Sequence, residues 1–495
     1  MRNFLLTITV FFLAVLPLQA KHYKIYILTG QSNSLGCTTN RNSDAEAAIP
    51  PVYKNDEKIP FFWSNRSTRG GDGPSALIGS SDGKIVSLKE QQGEGGNKTF
   101  WGPEIGFARA MYKAGRKNTL VIKASRGGGG NGFWVKDGQM YNHVVKTVKD
   151  CLKALKKRRD TFEIVGLMYM QGESNNGGEA KVAGPRFHDL LTELRKELPK
   201  ARKMKGYISG VASGNHNATR ASHKALAEKE EDIFYFSNMD LRGHLFDGLH
   251  FGTEAKLLIG KRLSEMVRYG KLRPRIRVAC IGDSITYGAV IQGRVANCYP
   301  TQLQKLLGDR YEVRNFGHNG RCIIKTSKAG RGLRGYIHTQ AHKDALAYKP
   351  QIVICNLGIN DIMDYPTKSE QFIPDYKELL TLYRELESKP KIIIWTKLGP
   401  LMKGQRFYKS KYLAKMNQDL EKTRQELNER KIRKRYKTIS NLEMEEPLND
   451  RQFMSNDHIH PNAAGAKVIA EETYQKMLKL KLVKTKTKRK SKSKR

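Results

Sequence analysis

The sequence predicts an α/β chain in which one structural plan occurs twice in tandem, and three observations carry that prediction. Apolar, strand-like runs alternate with stripes of helical spacing along the whole chain. Twice a strand-like run delivers a serine on a glycine-containing turn: Tyr23–Thr29 runs into Gly30-Gln31-Ser32-Asn33-Ser34, and Ile276–Ile281 into Gly282-Asp283-Ser284-Ile285-Thr286. Each half also closes on an Asp-x-x-His group set before a helical pattern, Asp247 to His250 and Asp457 to His460.

In the first half the serine follows its strand directly, where a turn lifts a hydroxyl clear of the sheet edge and suits a nucleophile. Residues from about Cys37 to Phe100 are rich in Gly, Ser, Asn and Asp with little periodicity. So long a connection reads as a functional wall of a cleft. Pro103 suits the first turn of a helix whose stripe is Ile105, Ala108, Met111 and Tyr112, stopped by Gly115. The next strand, Thr119–Ala124, leads to Arg126-Gly127-Gly128-Gly129-Gly130-Asn131-Gly132-Phe133-Trp134. Its glycines let backbone N–H groups face a cavity, and a plain surface turn is the alternative. Phe162–Met170 is a strand that delivers Gln171-Gly172-Glu173-Ser174, and strands near Tyr207 and Phe234 precede Asp247-Gly248-Leu249-His250 and a helix over Thr253–Met266. Asp and His three apart on one turn can face the same way. Four polar elements at strand ends place a site at the carboxyl edge of a sheet.

Gly270–Arg275 reads as a short basic linker, after which the pattern restarts. Tyr311–Asn315 leads into Gly317-His318-Asn319-Gly320-Arg321, and Gln351–Asn356 ends at Gly358-Ile359-Asn360-Asp361. Lys391–Trp395 is followed by a charged helix from about Lys409 to Arg430, and Asp457-His458-Ile459-His460-Pro461 precedes a helix over Ala463–Leu480. The expected organisation is a signal segment at 1–20, domains at 21–270 and 276–482 joined by 271–275, and a basic tail at 483–495.

Met1-Arg2-Asn3 before an apolar run from Phe4 to Leu18, then Gln19-Ala20, has the order of a secretory signal peptide, with Ala20 as the expected cut. The run is shorter than a spanning helix needs, and no later segment is apolar enough to cross a bilayer. Secretion or periplasmic export is the expectation. The six cysteines lack paired metal spacing, and Cys298 with Cys322 is the first disulfide to test. His458 beside His460 lacks the further acid or His cluster a metal site needs, so no metal and no cofactor is expected. A net charge of +40 attracts polyanions. The tail, without aromatic residues to stack bases, argues against specific nucleic-acid recognition and reads as a tether for which an anionic envelope surface is the candidate partner.

These residues resemble the SGNH hydrolases, the GDSL-type esterases, over nearly all of both halves. Gly282-Asp283-Ser284, Gly320, Gly358-Ile359-Asn360-Asp361 and Asp457 with His460 stand in the order of that family's four blocks. The first half resembles the sialate O-acetylesterase and acetylxylan esterase branch through Gly30-Gln31-Ser32-Asn33, Gln171-Gly172-Glu173, the Gly127-Gly128 loop up to Trp134, and Asp247 with His250. Gln31 and Gln171 depart from the general pattern but agree with that branch. The resemblance implies a three-layer α/β/α sandwich with a flavodoxin-like parallel sheet in each half, and hydrolysis of acyl esters, most often acetyl groups on carbohydrate. On that basis Ser32 and Ser284 are the nucleophiles, His250 and His460 the bases, and Asp247 and Asp457 the groups that orient them. The oxyanion donors are the N–H groups of Ser32 and Gly128 with the Gln171 amide, and those of Ser284 and Gly320 with the Asn360 amide; Gly127 stays open beside Gly128. Glu173 is given a structural hydrogen bond, and Trp134 either stacks on a sugar or fills the core. The expected substrate is an acetylated carbohydrate, with acidic or sulfated polysaccharides among the candidates. The alternatives are a lipid or thioester esterase, and a glycan-binding surface protein with a vestigial site.

Overall fold

The computed structural model describes residues 20–37, 49–67, 77–94, 99–329, 332–397, 411–429, 439–443, 450–457 and 459–483. The signal segment before Ala20, the tail beyond residue 483 and His458 lie outside the described residues. Two compact units divide the chain: the described parts of Met1–Cys37, Lys54–Ser209 and His216–Tyr235 form the first, and those of Thr38–Tyr53, Gly210–Asn215 and Phe236–Arg495 the second.

The first unit is built on β1 (His22–Gly30), β2 (Pro60–Arg66), β3 (Thr119–Ser125), β4 (Thr161–Met170), β5 (Lys205–Ser209) and β6 (Ile233–Phe236). Their order across the sheet is β6-β5-β4-β1-β3-β2. β1 lies parallel to both β3 and β4, β4 to β5, and β3 to β2. Leaving β2 aside, the chain visits this sheet in the 2-1-3-4-5 order of a flavodoxin-type sheet. Its helices include α1 (Ser32–Leu35), α2 (Pro103–Lys113), α3 (Gln139–Lys157) and α4 (Ala183–Glu197). Alternate residues of a strand face opposite ways. Accordingly Ile25 and Ile27 join a core with Val144 and Val148 of α3 and Leu191 and Leu194 of α4. Tyr26, between them, meets the ring of Phe107 on α2 at 5.1 Å.

The stretch from Cys37 to Phe100 departs from its reading as a long loop. It contains β2, which joins the main sheet, and four short strands: Leu77–Ser80, Val86–Ser87, Gln91–Gln92 and Thr99–Phe100. Only Phe61, Phe62 and Trp63 in β2 are apolar, and Pro60 precedes them. The side chains of Asn65 and Arg66 are buried by the surrounding fold rather than by their own character, so the sequence lacks a strand signal there.

In the second unit α5 (Thr253–Tyr269) precedes β7 (Ile276–Gly282), α6 (Ser284–Tyr287), α7 (Tyr299–Leu307), β8 (Tyr311–Gly317), α8 (Gln340–Ala347), β9 (Ile352–Asn356), α9 (Tyr365–Arg384), β10 (Lys391–Lys397), α10 (Lys411–Glu429), β11 (Ile439–Glu443) and α11 (Ala463–Lys479). The sheet order is β8-β7-β9-β10-β11, with every neighbouring pair parallel. This is the 2-1-3-4-5 order again. Ala279 and Ile281 of β7 and Val353 of β9 pack with Phe372 and Tyr376 of α9 and Met416 of α10. Val278, Cys280 and Ile354 turn the other way, onto Leu303 of α7 and Ile469 of α11. Helices therefore cover both faces, and the unit is a three-layer α/β/α sandwich. Helix α9 escapes the sequence pattern because Pro366 and Pro374 read as breakers, yet Pro366 occupies the first turn and the helix resumes past a kink at Lys368.

Three guanidiniums and three carboxylates knit the start of this unit to its sheet. Arg262 and Arg314 both hold Asp240, Arg314 also reaches Glu312 at 2.6 Å, and Arg275 pairs with Glu265 and with Glu312. All three arginines are almost fully buried, so the equal count of opposite charges is what makes their burial tolerable. The six cysteines are free, so the Cys298–Cys322 disulfide is not formed.

Candidate active sites

Strand β7 ends at Gly282, where the chain turns into α6 with Asp283 as its cap: the carboxylate accepts the Ile285 N–H at 2.9 Å. Ser284 is the first residue of that helix, at the carboxyl end of β7, the second strand across the sheet. Gly282 has to be glycine, because a Cβ there would lie 2.4 Å from the Asn356 carbonyl and closer still to Thr286. Ser284 Oγ lies 2.8 Å from Nε2 of His460, and His460 Nδ1 lies 2.6 Å from Oδ2 of Asp457. The other oxygen of Asp457 accepts the N–H groups of Ile459 and His460 at 3.0 and 2.9 Å. Burial alone would raise the Asp457 carboxyl, but the bonds from His460 and Ile459 outweigh it and hold it below the usual range. An ionised carboxylate on Nδ1 keeps the proton there and leaves Nε2 to accept from serine.

Gly320 has φ +69 and open space where a Cβ would stand, and its carbonyl is held by Arg334 Nε at 3.0 Å. Asn360 lies on the 3-10 turn Ile359–Met363, and one of its amide hydrogens goes to the Arg321 carbonyl at 3.1 Å, which leaves the second to offer.

The first-half residues appear as two local groups, one in each compact unit. In the first unit Ser32 opens α1 at the end of β1 and is 7% exposed. Its turn is tied down on several sides. Asn33 Nδ2 donates to Glu173 Oε1 at 2.7 Å, Gln31 Oε1 accepts the Gly172 and Ser174 N–H groups at 3.1 and 3.3 Å, and the Ser34 and Ser125 hydroxyls share a short hydrogen bond. Burial raises the Glu173 carboxyl. Gly128 is exposed, with φ +55 and nothing near a built Cβ.

Two first-half assignments need correction. Gln171 is fully buried, and its amide is spent on neighbours: Nε2 donates to Asn175 Oδ1 at 2.5 Å and to the Gly129 carbonyl at 3.4 Å, while its oxygen accepts from Asn175. No hydrogen is left over for an oxyanion. Trp134 is 1% exposed, packs in the core against Tyr169 and donates its indole N–H to Thr29 Oγ1 at 3.0 Å. It fills the core and presents no face to a sugar.

In the second unit Asp247 repeats the geometry of Asp457. Its Oδ1 accepts the Leu249 and His250 N–H groups at 2.9 and 2.7 Å, and its Oδ2 meets His250 Nδ1 at 2.6 Å. Each histidine loop is closed by an antiparallel bridge, Leu245 with Phe251 and Met454 with Pro461. Two segments with different local sequence thus build the same carboxylate–imidazole device. Among the described residues no group of three His, Cys, Asp or Glu side chains could hold a metal ion.

Residues 22–268 match the family model described as carbohydrate esterase, sialic acid-specific acetylesterase, and residues 280–468 match the GDSL-like lipase/acylhydrolase family. The first half belongs to the one family, the second half to the other. The acetylxylan esterase of Xylanibacter ruminicola is 33% identical over 215 residues, 40% of this chain and 42% of that protein. The chain thus spans less than half the length of that relative. Among solved structures, a protein from Arabidopsis thaliana shares 20% identity at a TM-score of 0.37, covering 50% of this chain and 99% of its own. NanS shares 13% at 0.35, covering 51% and 98%.

Within the GDSL-like half, the residues sequence reasoning missed are the carboxylates beneath the site. Asp361 accepts the Ile323 and Ile324 N–H groups at 2.9 and 2.8 Å, and Asp375 accepts that of Lys325 at 2.8 Å. The signal available was the acid adjoining Asn360. What it binds, nearly 40 residues away in the chain, is set by the fold.

Proposed function

We propose that this protein is a serine esterase that removes O-acetyl groups from carbohydrate, with Ser284, His460 and Asp457 as one working triad. The observation that carries this reading is the unbroken chain Ser284 Oγ, His460 Nε2, His460 Nδ1, Asp457 Oδ2, at 2.8 and 2.6 Å. In the reaction His460 takes the Ser284 proton as the oxygen attacks the acetyl carbonyl, and Asp457 stabilises the imidazolium that forms. The tetrahedral oxyanion is met by the N–H groups of Ser284 and Gly320 and the free amide hydrogen of Asn360. His460 then protonates the sugar oxygen that leaves, and a water molecule activated by the same imidazole releases acetate from Ser284. The chemistry requires no metal.

In the acetylesterase-like half Ser32 is the proposed nucleophile, and Asp247 with His250 is that half's proposed carboxylate–imidazole pair. Carbohydrate as substrate is supported by the family of residues 22–268 and by the acetylxylan esterase relative. An acidic or sulfated polymer is favoured by the charge of +40, and two clefts of about 370 and 360 Å³ at the amino ends of β1 and β3, on the sheet edge opposite Ser32, offer such a polymer a basic surface away from the site. These share Lys117 and Asn118, and Lys24, Arg116 and Lys58 line them. Export follows from the Phe4–Leu18 run.

The test is acetate release from a panel of acetylated glycans by Ser32→Ala, Ser284→Ala and the double variant. Full activity in the double variant overturns the hydrolase reading. One observation favours a second reading, in which only Ser284 turns over and the first site holds glycan: the Gln171 amide is spent on Asn175 and Gly129. Unchanged acetate release in Ser32→Ala, together with retained glycan binding, would establish it.

A further inference from the structure

The second site holds its two non-serine oxyanion donors on different segments, Gly320 on the loop after β8 and Asn360 on the 3-10 turn after β9. Their spacing must survive the attack to within a fraction of an ångström, because a displacement of about 1 Å can cost on the order of 100-fold. Asp361 is the neighbour of Asn360 on that turn, and its side chain is fully buried. Both carboxyl oxygens point away from solvent into the other segment, one to the N–H of Ile323 and one to that of Ile324. Asn360 itself binds the Arg321 carbonyl, so three bonds join the turn to residues 321–324, directly after Gly320.

We infer that Asp361 is a positioning residue of the Ser284 site, a clamp whose carboxyl group fixes the distance between the Gly320 and Asn360 oxyanion donors. The inference rests on the proposed activity of that site. A carboxyl group can accept from two consecutive backbone N–H groups, one on each oxygen. An amide of the same shape keeps one bond and turns its own N–H₂ against the second donor. Asp375 extends the clamp by one residue, on Lys325 N–H, and Ser327 donates to Asp364.

The experiment is Asp361→Asn in the full chain carrying Ser32→Ala, with p-nitrophenyl acetate as substrate. The expected result is a kcat lower by about 10- to 100-fold with KM within about twofold. Phosphonylation of Ser284 by a p-nitrophenyl phosphonate, whose adduct also places an oxygen among the donors, should slow by a similar factor. Combined with Asn360→Ala, the two losses should be less than multiplicative, since both act through one set of donors. A kcat within about threefold of the parent, or a loss carried wholly by KM, overturns the inference. Should Asp361→Asn fail to fold, Asp375→Asn takes its place, with a smaller kcat loss expected and unchanged kcat overturning the clamp. If Ser284→Ala leaves the Ser32→Ala chain's activity intact, the functional reading itself has failed. If it abolishes that activity while the clamp variants are silent, only this inference has.

Discussion

Replacing Asp457 by asparagine tests the triad at its least obvious member. In the native site the two backbone bonds to Oδ1, from Ile459 and His460, fix the side chain, and Oδ2 is left facing His460 Nδ1 at 2.6 Å. In Asp457→Asn the oxygen should stay with the backbone N–H groups, so the new N–H₂ faces Nδ1. Two donors cannot face each other, and the imidazole must then carry its proton on Nε2, where it no longer accepts from Ser284 Oγ. A wrong tautomer of this kind costs about 10⁴-fold in kcat where the carboxylate is sealed from water. The Asp457 side chain is 36% exposed, so water should soften the loss to about 10³-fold, or roughly 4 kcal/mol of barrier. The assay is steady-state acetate release at saturating substrate in the Ser32→Ala background, with the fold checked by near-UV circular dichroism. A folded Asp457→Asn variant with kcat within about tenfold of its parent would falsify the relay.

Three further outcomes follow from the same geometry. Lys123 and Glu104 are a fully buried ion pair at 2.9 Å, and Lys123 also donates to the Leu35 carbonyl at the end of the Ser32 turn. Lys123→Met should destabilise the first unit by about 3–5 kcal/mol in chemical denaturation and lower Ser32-dependent turnover with it; an unchanged transition would show that the pair is not needed. Asp283 and Asp361 are both pushed up by burial to about 7. The folded state therefore holds protons that the unfolded chain releases near pH 4. The stabilisation is complete below that value and is lost as pH rises through about 7, while the burial of neutral His244 and His342 in the same unit works the other way up to about pH 6.5. The carboxyl contribution is therefore read as a difference: the thermal midpoint of Asp283→Asn should rise relative to that of the parent as pH goes from about 4 to about 7. Lastly, Lys24→Glu, Arg116→Glu and Lys117→Glu together should weaken binding to a sulfated glycan column and its salt dependence, while three equivalent reversals at Lys343, Lys349 and Lys422 should do so far less. Equal loss from both sets would make the attraction a property of net charge alone.

Much of the site was legible because its chemistry depends on local sequence. A serine on the turn after an apolar strand, and an Asp and a His three residues apart, lie within single turns of chain. The carboxylate–imidazole geometry of Asp247 with His250 and of Asp457 with His460 is likewise closed by backbone N–H groups of the same few residues. Most strands of the two sheets were legible for a related reason, since a strand buried on both faces must be apolar at nearly every position; β2 and β11, which are polar at several positions, were not.

What only the tertiary structure decided is every pairing between residues far apart in sequence. β2 enters the first sheet on the strength of its neighbour β3, not of its own composition. Trp134, equally suited by type to a sugar platform or a core, is committed to the core by Thr29 and Tyr169. Gln171 has an amide fit for an oxyanion, but Asn175 and Gly129 take both its hydrogens. Asp361 looks from its sequence position like a neighbour of the oxyanion donor, and folding turns it into the tie between two loops. The physical division is one of range. Residue type and local turn geometry specify what a group is able to do, while burial and long-range hydrogen bonding specify which of those abilities it has left to use.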